Sequence, residues 1–115
     1  MIRLCLVLIG SWVTVSGWSE QHPYFEASFA VYKAKLCAVQ KPEINAATAE
    51  TASRLAKFRS EAVRSGFEPE LDEMDARLRA LAAEMLVAVC SPSPEATIGY
   101  ARARVSKFGE WVRAK

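Results

Sequence analysis

The chain is predicted to be all-α: an antiparallel four-helix bundle with one disulfide, preceded by a secretory signal peptide. Three observations predict it. Between proline and glycine breaks, apolar residues recur at the helical period of about 3.6. β-Branched residues are few and alanine is frequent, which favours helix. Two cysteines, Cys37 and Cys90, fall near the ends of two segments that run the same way in such a bundle.

Residues 1–19 read as the signal. Arg3 is followed by an uncharged apolar run from Leu4 to Val15, then Ser16-Gly17-Trp18-Ser19, and then the first acid, Glu20. That is the order of a charged start, an apolar centre and a small-residue exit. Cleavage fits after residue 17 or residue 19; cutting after Ser19 leaves a polar Glu20-Gln21 end. The run is shorter than the ~20 apolar residues a membrane helix needs. Membrane attachment is therefore expected only if the signal stays uncut. Cys5 lies at the start of the run and leaves with it, whereas a lipid anchor takes a cysteine after the run.

Residues 20–115 then form a single helical domain. The first helix is expected over about 23–41, with Pro23 as an early helical residue and Pro42 ending it. Its main stripe is Phe25, Phe29, Tyr32, Leu36 and Val39, and Tyr24, Val31 and Ala38 form a second apolar line. The second helix is expected over 43–65, with the stripe Ile44, Ala47, Thr48, Thr51, Leu55, Phe58 and Ala62. Gly66 and Phe67 have the order of a Schellman end, a left-handed residue followed by an apolar closer.

The third helix is expected over 69–90, with Leu71, Met74, Leu78, Leu81, Met85 and Val89 inward. From Ala80 to Cys90 its only charge is Glu84, so it reads as the central helix. The fourth is expected over 94–114, capped by Ser93 and opened by Pro94. Its stripe is Ile98, Ala101, Val105, Phe108 and Val112.

Export places the cysteines in an oxidising compartment, where an even count reads as a disulfide. Cys37 and Cys90 close a loop of about 54 residues, for which chain entropy contributes about 4 kcal/mol. Each cysteine lies beside its helix's main stripe, which suits a bridge between helix edges.

Charge excludes some classes of function. Lys and Arg number 15 against 13 Asp and Glu, a net charge of +2. Nucleic-acid binders concentrate far more positive charge on one face, so no nucleic-acid partner is expected. Catalysis is not expected either. The single histidine, His22, sits in what reads as a mobile lead-in before Pro23, and bridged cysteines are not nucleophiles. There is no Cys-x-x-Cys-His run for haem, and Met74 and Met85 read as core packing rather than ligands. No metal or cofactor is expected.

Two groups remain as binding candidates. Glu68, Glu70, Asp72, Glu73 and Asp75 make an acidic patch at the corner between helices two and three. Acids also belong in a first helical turn, where they meet the positive end of the helix dipole. Arg54, Lys57, Arg59 and Arg64 likewise suit the second half of helix two. Tyr100, Arg104, Lys107 and Trp111 form a second stripe on helix four, of residue types enriched in binding hot spots. Alternatively, Trp111 covers the core edge while Arg104 stacks on Tyr100 or Trp111.

The outline resembles that of periplasmic acid-stress chaperones and of small immunity proteins that neutralise cell-wall-degrading toxins. It is a likeness of architecture. Gly109-Glu110-Trp111 echoes the ending of the acid chaperones, but those place their first cysteine at a helix start and Cys37 lies deep within one.

The expected function is protein–protein binding by an exported, periplasmic or extracellular protein: an inhibitor, immunity protein or accessory subunit with another exported protein as partner. Trp111→Ala and Arg104→Ala are expected to leave the fold intact and remove that partner. One alternative is an acid chaperone, since its thirteen acids lose charge at low pH. The other is a carrier of a small apolar ligand between the helices.

Overall fold

The computed structural model describes residues 22–84 and 90–115, and among these the chain is helical with no strand. The expected signal segment lies outside the described residues, as do Met85 and Val89 of the expected third helix. The elements are α1 (Pro23–Gln40), a short 3-10 turn (Pro42–Ile44), α2 (Asn45–Arg64), α3 (Glu68–Glu84) and α4 (Pro94–Arg113).

The boundaries follow local chemistry. Ser93 caps α4, its hydroxyl accepting from the Ala96 amide at 3.1 Å. α2 ends as a Schellman motif: the Phe67 amide donates to the Ala62 carbonyl at 3.1 Å and the Gly66 amide to the Val63 carbonyl at 3.0 Å. Gly66 holds the left-handed conformation this end requires, with φ of +95°.

The α1 cap departs from expectation. His22 is no mobile lead-in: it is 7% exposed, and its Nδ1 accepts from the Tyr24 amide at 3.0 Å. The imidazole satisfies an amide that the helix start would leave unpaired. It also packs edge-on to Trp111, with ring centroids 4.7 Å apart.

The stripes of α2 and α4 are the ones the sequence predicts. Ile98, Ala101, Val105, Phe108 and Val112 of α4 are all buried, as are Thr48, Thr51, Phe58 and Ala62 of α2. Phe108 sits at the centre. It is fully buried and contacts the rings of Tyr24 at 5.0 Å, Phe58 at 6.5 Å and Trp111 at 6.0 Å. Beside it, a Cβ on Gly109 would fall 2.6 Å from the Phe58 ring, so only glycine fits without moving that ring.

α1 is rotated from the expected orientation. Its buried face is Tyr24, Phe25, Ala27, Ser28, Ala30, Val31, Ala34, Cys37 and Ala38. That face takes in the whole line expected to be secondary (Tyr24, Val31 and Ala38) and only Phe25 of the expected main stripe. Phe29, Tyr32 and Leu36 are only half-buried and Val39 is 80% exposed. The reason is close approach: alanines let α1 lie against the other helices, and its larger side chains spread to the flanks. Among the described residues α1 touches all three other helices and packs most extensively on α4. Among the described residues it packs more extensively than the Glu68–Glu84 part of the third helix; residues 85–89, part of the apolar run that reads as central, lie outside them. α3 buries Leu71 and Met74 but leaves Asp72, Glu73, Ala76, Arg77, Arg79 and Ala80 exposed.

Cys37 and Cys90 are disulfide-bonded, with Cα atoms 5.0 Å apart. Cys37 is fully buried on the core face of α1 rather than at its edge, and forms a small second cluster with Ala38 and Ile44.

Candidate functional site

The α4 stripe divides into two environments. Tyr100 is 51% exposed. The Arg104 guanidinium lies over its ring at 5.0 Å, while Arg104 Nη1 donates to Glu26 Oε1 of α1 at 3.2 Å. The arginine is thus held at both ends of its planar group, on an aromatic face and on a carboxylate. Lys107 is exposed one turn further on. Trp111 is different. It is half-buried and packs on Phe67 at 4.8 Å as well as on His22 and Phe108, with the Lys115 ammonium 5.1 Å from its ring. Trp111→Ala would therefore open the core edge, so Tyr100 and Lys107 are the cleaner probes of this face.

The acidic patch is also divided. Arg59 of α2 donates from Nη2 to both Asp72 Oδ1 and Asp75 Oδ2 at 2.8 Å. Its Nε donates to the Tyr24 hydroxyl at 3.0 Å, and that hydroxyl donates to Asp75 Oδ1 at 2.6 Å. Tyr24, Arg59 and Asp75 form a closed ring joining α1, α2 and α3. Burial works against the Arg59 charge, but the bonds it donates to Asp75 and Tyr24 outweigh it and raise its pKa. Burial, reinforced by Asp75, raises that of Tyr24. Two of the five acids thus serve as a clamp, and Glu68 and Glu73 face solvent. Among the described residues no group of three His, Cys, Asp or Glu is placed to hold a metal, and no helix is long and apolar enough to cross a membrane.

A cleft of about 370 Å³ opens between α1 and the start of α4. Phe29, Ala30 and Lys33 form one wall, Ser91 and Pro92 another, and Ala96, Thr97 and Tyr100 the third. Tyr100 is shared between this cleft and the Arg104 surface. No protein-family model, curated protein or solved structure matches this chain. The site must therefore be read from its own chemistry.

Sequence reasoning missed the ring and the cleft for identifiable reasons. Arg59 is one of four cations on α2 and Asp75 one of five nearby acids, so nothing local pairs them. The apolar period of α1 places Phe29 in the core, which hides its part in the cleft wall. The arginine–aromatic stack, by contrast, is legible from the spacing of Tyr100 and Arg104 at i and i+4.

His22 supplies a pH prediction. Desolvation lowers its pKa below 6.5; Glu70 opposes that shift and Lys115 adds to it. The unfolded chain therefore binds the proton first. The stability that neutral His22 contributes is complete above pH 6.5 and is lost as the pH falls towards the native pKa. His22→Asn keeps a capping acceptor and removes the titration. In denaturant melts, the stability gap between wild type and His22→Asn is expected to narrow between pH 7.5 and 5. A constant gap would refute the linkage.

Proposed function

We propose that this chain is an exported antiparallel four-helix protein that acts by holding another exported protein, as an inhibitor, immunity protein or accessory subunit. One observation carries the reading: Arg104 is stacked on the exposed Tyr100 ring and tied to Glu26 before any partner arrives. Arginine and tyrosine are favoured hot-spot residues. A side chain already immobilised loses little further entropy on binding. Lys107 extends the surface with a free-standing charge, and Trp111 supports it from below.

The disulfide supports export, since such bonds persist outside the reducing cytosol. Catalysis has no place in the reading: the single histidine is engaged as a helix cap and the two cysteines of the domain are bonded to each other.

The test is affinity capture of the tagged protein from its own exported fraction, followed by Tyr100→Ala and Lys107→Glu. Both positions are exposed, so circular dichroism and melting should be unchanged while the captured partner is lost. Recovery of the same partner in equal amount by both variants would remove this face as the binding surface.

A further inference from the structure

We propose that the cleft between α1 and the start of α4 binds a small aromatic carboxylate, with its ring among Phe29, Pro92 and Tyr100 and its charge at Lys33. The cleft shares Tyr100 with the partner surface but not Lys33, so a Lys33 variant tests this proposal apart from the partner reading.

Size comes first. The cleft's 370 Å³ lies within the usual range for ligand pockets. At about 30 Å³ per water-sized group, it takes about a dozen non-hydrogen atoms. Two of its walls present flat rings, Phe29 and Tyr100, with Pro92 and Ala30 between. Rings favour offset or edge-on contact with a further aromatic group.

Charge selects among apolar guests. The neighbouring cation, Arg104, is already paired with Glu26 at 3.2 Å. Lys33 has no ion pair among the described residues; its ammonium stands 6.0 Å from the Phe29 ring centroid. An aromatic guest seated against Phe29 therefore has a cation within reach and no carboxylate competing for it. Ser91 adds a hydroxyl to the same lining. An anion fits this lining, and a cationic guest would face Lys33.

The cleft is also held in shape. Ser91 and Pro92 directly follow Cys90, and the disulfide ties Cys90 to Cys37, one helical turn beyond Lys33 on the same face of α1. The wall carrying Ser91 is thus covalently fixed to the helix carrying Lys33. Preformed sites lose less free energy to ordering on binding.

The experiment titrates the purified disulfide-bonded protein with 2-naphthoate and, separately, with its neutral isostere naphthalene-2-carboxamide, by calorimetry and by amide chemical shifts. The carboxylate is expected to bind about tenfold more tightly than the amide, the difference one charge-assisted hydrogen bond makes. Shifts should concentrate at residues 29–33 and 91–100. Lys33→Met keeps the side-chain stem and should erase the preference while leaving the melting temperature unchanged. Absence of binding by the carboxylate, equal binding of both compounds, or an unchanged preference in Lys33→Met would overturn the proposal.

Discussion

Replacing Cys37 and Cys90 together by serine is expected to lower the unfolding free energy by about 4 kcal/mol. The bridge joins positions 53 residues apart, and closing a loop of that length removes about this much chain entropy from the unfolded state. A domain of this size has a total stability of roughly 5–15 kcal/mol, so the variant is left with a small remainder. The loss reaches beyond stability, because the bond also fixes Ser91 and Pro92 against α1. Urea melts of wild type and double variant, with and without reductant, measure it. Reductant should bring wild type to the level of the variant and leave the variant unmoved. A loss below about 1 kcal/mol would mean that the unfolded chain is already compact around these residues.

Phe108→Ala is expected to cost about 3–5 kcal/mol, the usual range for truncating a buried aromatic. The site has little means of collapsing onto the void. Tyr24 is held by Asp75 and Arg59. Phe58 already presses on Gly109, where no side chain can move in to compensate. Trp111 is held between Phe67 and His22. Phe108→Leu should recover much of the loss. Equilibrium denaturation of the two variants checks this, and a cost for alanine no greater than that for leucine would show that the cluster repacks freely.

These predictions rest on parts of the molecule that were unequally legible. α2 and α4 each carry one apolar stripe against a polar remainder, so periodicity alone orients them. α1 is apolar on several sides, and its period does not say which side is innermost. Ranking by side-chain size put Phe29, Leu36 and Val39 inside; close packing put Ala27, Ala30 and Ala34 there instead, because small residues let helices approach. The burial of His22 is hidden in the sequence for a related reason. A residue before a helix is buried only if something from elsewhere covers it, here Trp111 from the far end of the chain.

The sequence by itself determined the starts of α1 and α4, the end of α2 and which two cysteines pair, because caps, prolines and a left-handed glycine act over a few residues. It also narrowed the stack of Arg104 to Tyr100 or Trp111 on the same helix, and the structure selects Tyr100. Only the tertiary structure decided the rotation of α1, the pairing of Arg59 with Asp75 and Tyr24, and the cleft at Lys33. Those depend on which surfaces meet across separations such as the 16 residues between Arg59 and Asp75 and the 35 between Arg59 and Tyr24, and local propensity carries no information at that range.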